Sequence, residues 1–142
     1  MKLNSLLTIV TAFSISFSAG FAADEDTPLG TQMKAMNRNL RTLKRQLADP
    51  AKKEDNLALL EKIKKSLDEA HMLEPAKTKD IAAGERAAYT EKYKQQIIEL
   101  GKSFGEVEAA IKVDKPDEAK KALEKISDLK EKGHKDFGVD EC

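Results

Sequence analysis

The chain has 142 residues, in which 25 lysines and arginines balance 25 aspartates and glutamates, with 2 histidines, 1 cysteine and no tryptophan. A neutral total with 35% charged residues supplies no net field toward nucleic acid or an anionic membrane surface, and one cysteine cannot close an internal disulfide. The length suits a single domain with its own core.

The first 22 residues, MKLNSLLTIVTAFSISFSAGFA, have the order of a secretory signal peptide. An early lysine precedes an apolar run from Leu6 to Phe17, and small residues lead to an expected cleavage after Ala22. The run is too short for a membrane span and is closely followed by Asp24, Glu25 and Asp26. The expected working protein is therefore residues 23–142, one domain outside the cytoplasm, and the short signal points to a bacterial periplasm.

From Ala23 on, helix formers dominate and no alternating β-branched segment occurs, so the chain is expected to be all-α. Leu29, Met33, Met36, Leu40, Leu43 and Leu47 step by four and three along a first helix, with Thr27 as its cap and Pro28 at its first position. Asp49-Pro50 ends it. A second helix runs from Pro50 or Asp55 to Met72 with Leu57, Leu60, Ile63, Leu67 and Ala70 inward, and residues 74–80 read as a loop. Asp80 is the expected cap of a third helix with Tyr93, Ile97, Leu100, Phe104, Val107 and Ile111 inward. Asp114-Lys115-Pro116-Asp117 separates it from a fourth, with Ala119, Ala122, Leu123, Ile126 and Leu129 inward and Gly138 as the stop. Four amphipathic helices with short connections predict an antiparallel up-down-up-down four-helix bundle.

In that topology the start of helix 1 and the end of helix 4 meet at one end of the bundle. Met33 lies about 9 Å inside the first helix and His134 about 6 Å inside the last, at 1.5 Å rise per residue. A thioether and an imidazole at similar height on neighbouring helices can supply the two axial ligands of a haem iron. Each residue also has an ordinary explanation: methionine fills cores, and a histidine in a charged helix end is usually solvated.

The stretch LGTQMKAMNRNL, with Leu29, Met33, Met36, Asn37, Asn39 and Leu40, resembles the start of the soluble cytochrome b562 family. LKEKGHKDFG, with His134 and Phe137, is similar to that family's last helix. The resemblance implies one noncovalent b-type haem per chain, held by Met33 and His134, in a periplasmic electron carrier with an unidentified redox partner protein. It places Lys130 where the family has an arginine near a haem propionate; lysine keeps the charge and loses the planar fork. Tyr89 and Tyr93 match a pair of aromatics at the start of the family's third helix, with core packing as the other reading. Gly133 either gives room for the porphyrin edge or only loosens the helix end. No C-x-x-C-H motif is present for covalent attachment.

Two rival readings stay open. One is a haemless secreted bundle that binds another protein. The other gathers His71, Met72, Met33, Met36 and His134 as a soft copper(I) site, with His71 also available as an alternative haem ligand. No carboxylate pair, nucleophile or phosphate loop points to an enzyme. Cys142, the last residue, is a tail thiol or the link of a dimer of an otherwise monomeric protein.

Overall fold

The structure, a computed structural model, describes residues 27–138. The expected signal peptide and Cys142 lie outside the described residues. Four helices follow in order: α1 Pro28–Gln46, α2 Lys53–His71, α3 Arg86–Lys112 and α4 Pro116–Phe137. Two short 3-10 turns, Pro50–Lys52 and Ala76–Asp80, stand before α2 and between α2 and α3. The described residues contain no strand.

Helix ends follow local chemistry. The Thr27 hydroxyl accepts from the Gly30 N–H at 2.9 Å, relieving one of the donors that a helix start leaves unpaired, and Pro28 takes the first position. The Asp49 carboxylate accepts from Ala51 N–H at 2.9 Å and opens the 3-10 turn at Pro50, so α2 itself begins at Lys53. At the α3–α4 corner Asp114 takes φ 57°, and the Lys115 and Asp114 amides donate to the carbonyls of Ala110 and Ile111. Gly138 ends α4 at φ 63°, its N–H bonded to the His134 carbonyl at 2.9 Å.

One expected start is corrected. Asp80 is the last residue of a 3-10 turn and caps nothing; α3 begins six residues later, at Arg86. Residues 82–85 first make a turn around Gly84, closed by Glu85 N–H to Ala82 O at 2.8 Å. The Arg86 guanidinium then donates to the carbonyls of Ile81 and Lys79 at 2.8 and 2.9 Å, stapling that turn to the helix it precedes.

The helices alternate in direction, as their cross-links show. Gln46 at the end of α1 donates to Asn56 near the start of α2 at 2.9 Å, and Lys53 at the start of α2 donates to Lys112 O and Asp114 Oδ1 at the end of α3. Lys125 of α4 meets Glu106 of α3, and Lys92 near the start of α3 meets Asp136 near the end of α4. Leu43, Leu60, Ile63, Phe104, Val107, Ala119 and Ile126 are sealed from solvent and form the middle of the core. Each large apolar member of that set contributes about 1.5–3 kcal/mol by leaving water. Met33, Leu47, Leu57 and Leu129, expected inward, are half-buried at its rim.

Packing is uneven around the bundle. Consecutive helices lie backbone against backbone, whereas α1 and α4 make far less close an approach. Toward the end where α4 starts, Lys44 Nζ donates across this seam to Ser127 Oγ at 2.8 Å. Met33 and His134 stand on its two sides at the opposite end.

Candidate functional site

The end of the bundle where α1 begins and α4 ends is closed by aromatic rings. Phe137 is packed edge-on by Tyr89, with centroids 5.3 Å apart, and by Tyr93, at 5.4 Å. Such contacts add to the area that the rings bury. Lys92 Nζ stands 5.9 Å from the Phe137 centroid and 3.1 Å from the Asp136 carboxylate. The Tyr93 hydroxyl donates to Ala70 O at 2.9 Å, tying the end of α2 to the start of α3, and the Tyr89 hydroxyl donates to Phe137 O at 3.3 Å. Burial pushes the Tyr93 phenol well above its ordinary range; burial, then the nearby Asp136 charge, raises Tyr89 as well.

Beneath these rings lies a small cleft of about 40 Å³. Met33 reaches it from α1, Tyr93, Gln96, Ile97 and Leu100 from α3, and Leu129, Lys130, Gly133, His134 and Phe137 from α4. Met33 and His134, 101 residues apart in sequence (134 − 33), therefore line one cavity from facing sides of the loose seam. His134 is half-buried with its Nδ1 withdrawn from solvent, and Met33 is half-buried against the core. Apolar side chains around both donors lower the local dielectric. Lys130 is the cationic member of the lining, one turn before His134.

Of the residues singled out from sequence, Met33, Tyr93, Lys130 and His134 share the cleft, and Tyr89 does not line it; it buttresses Phe137 from behind. The five-ligand copper grouping is not assembled. Met72, just past the end of α2, is 80% exposed, Met36 is buried in the core, and neither of them nor His71 lines the cleft. Among the described residues no group of three or more His, Cys, Asp or Glu could hold a metal ion.

Gly133 does not leave open space. A Cβ there would lie 2.8 Å from Gln96 Nε2, so the room that the glycine provides is filled by the carboxamide. Gln96 Nε2 also donates to Leu129 O at 2.9 Å. Sequence reasoning missed Gln96, which reads as a polar surface position beside the inward Ile97; only its spacing of three from Tyr93 placed it near the site. Asn37, one turn beyond Met33, was read only as part of a sequence likeness. It is 7% exposed, and its Oδ1 is buried with no hydrogen-bond partner.

The donor set suits an iron porphyrin: one thioether, one imidazole, an apolar lining and a single cation. The 40 Å³ gap is far smaller than a macrocycle, and it lies at the α1–α4 seam, where the backbones approach least closely. No described helix is long and apolar enough to cross a membrane.

Residues 28–137, from the first residue of α1 to the last of α4, match the family model described as Cytochrome b562. No curated protein and no solved structure matches the chain.

Proposed function

The chain belongs to the cytochrome b562 family, whose members are haem-binding electron-transfer helical proteins, and we propose that it carries electrons in the periplasm on one noncovalently held b-type haem. The observation that supports this reading is the shared cleft of Met33 and His134 at the loosest seam of the bundle.

Met33 Sδ and the His134 imidazole are the two groups that would hold the haem iron. Ile97, Leu100, Leu129 and Phe137 would exclude water from a bound ring, and Lys130 would offer its charge to a propionate. When bound, the haem supplies a one-electron Fe(III)/Fe(II) couple. Held by both side chains, the group would serve electron carriage, the role of the family. A methionine in place of a second histidine raises the reduction potential. The absence of a C-x-x-C-H motif supports noncovalent attachment. The N-terminal segment read as a signal peptide supports the periplasm.

Haem titration of the mature protein followed by absorption spectroscopy, beside Met33→Ala and His134→Ala, tests the reading. A one-to-one complex with a six-coordinate low-spin spectrum, converted to high spin or lost in each variant, is expected. No uptake by the wild type, or variant spectra identical to its own, overturns it and returns the haemless protein-binding bundle to first place.

A further inference from the structure

Gln96 is a neutral hydrogen-bonding side chain in a largely apolar corner, and ligation by Met33 and His134 gives it no task. Its carboxamide approaches the backbone of α4 at the residue before His134. That approach exists only because position 133 is glycine, since a Cβ there would stand 2.8 Å from Nε2. From this position Nε2 donates to the Leu129 carbonyl at 2.9 Å. Inside an α-helix that same carbonyl is the acceptor for the Gly133 N–H four residues on, so the carboxamide adds a second donor to the hydrogen bond that spans the turn leading to His134. Further along, the Tyr89 hydroxyl reaches the Phe137 carbonyl at 3.3 Å. The histidine thus stands between two tethers from α3, one at Leu129 and one at Phe137.

We propose that Gln96 is a positioning residue: paired with Gly133, it fixes the rotation of the last turns of α4 and so the direction in which His134 is presented to the cleft. The inference rests on the haem reading of the site. The ligand histidine sits on α4 opposite the loose α1 seam, so α1 offers little restraint to its rotation and the α3 contact supplies it. A ligand held in direction before binding spends less of its binding energy on ordering, and groups that orient a metal's ligands are worth about 10–100-fold in affinity when removed. Gln96 also borders an outer depression of about 260 Å³ lined by Lys92, Glu99, Lys102 and Lys132, so it stands between that depression and the cleft.

The test compares Gln96→Leu, Gln96→Ala, Gly133→Ala and the double variant Gln96→Ala/Gly133→Ala with the wild type. Haem dissociation constant and reduction potential are read on the loaded proteins, and thermal unfolding on the haem-free ones. Gln96→Leu, which keeps the volume and loses the donor, is expected to weaken haem by about tenfold and to lower the potential, with the haem-free midpoint little changed. Gly133→Ala is expected to do the same by pushing the carboxamide off α4, and to cost less when Gln96 is already alanine. In the haem-free wild type, NMR should show a nuclear Overhauser contact between the Gln96 amide protons and the Gly133 Hα. Wild-type affinity and potential in Gln96→Leu, simple addition of the two alanine penalties, or absence of the Overhauser contact each overturns the proposal. If the wild type itself takes no haem, the reading of the site fails instead.

Discussion

Replacing Tyr93 by phenylalanine should change the sign of its own effect on stability between neutral and alkaline pH. The side chain is 2% exposed and its hydroxyl donates to Ala70 O at 2.9 Å. At pH 7, Tyr93→Phe deletes that bond at a cost of about 1 kcal/mol. The cost stays modest because Ala70 O retains its bond from the Leu73 N–H at 3.1 Å and is not stranded. In alkali a second effect opposes the first. Burial raises the folded-state pKa of the phenol above its ordinary 10.0, so the native state holds a proton that the unfolded chain releases. The stability from the neutral phenol is complete below about pH 10 and is lost as pH rises above it, by about 1.4 kcal/mol at pH 11. The variant lacks this loss. Its deficit of about 1 kcal/mol at pH 7 should therefore vanish or reverse by pH 11. Urea unfolding followed by circular dichroism at both pH values measures it, and comparison with the wild type cancels the titration of lysines and of Tyr89. A deficit that stays constant or widens with pH refutes the reasoning, because it means that the phenol ionises as readily folded as unfolded.

Two further outcomes rest on the same bundle end. Asn37→Leu should stabilise the haem-free protein by about 1 kcal/mol in urea unfolding, since a buried unpaired amide oxygen costs about 1–3 kcal/mol and leucine has similar size; a clear loss would show that Asn37 is doing polar work inside the bundle. On the proposed role of Lys130, Lys130→Arg should tighten haem about threefold to tenfold in a competition titration, because a planar two-pronged donor would replace a point charge toward a propionate; unchanged affinity would refute that role.

Much of the fold was legible because its signals are local. Thr27-Pro28, Asp49-Pro50, the Asp114–Pro116 corner and Gly138 act through their own backbones, and each starts or stops a helix where its chemistry directs. Asp80 misled because what decides the start of α3 lies downstream: the turn at Gly84 and the Arg86 guanidinium, which captures the carbonyls of Ile81 and Lys79. That Met33 and His134 come to one cleft was readable from topology and distance to the helix ends, since an antiparallel bundle brings those ends together whatever the side chains do. Which neighbouring helices pack least was not readable, because apolar stripes have similar spacing on all four. The Gln96–Gly133 contact depends on how α3 and α4 are rotated against each other, which periodicity leaves undetermined to within the width of a stripe. The copper grouping is not assembled for a similar reason: neither His71 nor Met72 lines the cleft, and Met72 is turned to water.

The most direct test of the central claim is iron K-edge X-ray absorption on the haem-loaded mature protein, which counts the atoms bound to iron by element. Met33 and His134 as axial ligands predict five nitrogens and one sulfur, with the sulfur contribution lost in Met33→Ala. Six nitrogens, as His71 with His134 would give, or five nitrogens and no sulfur, would contradict it.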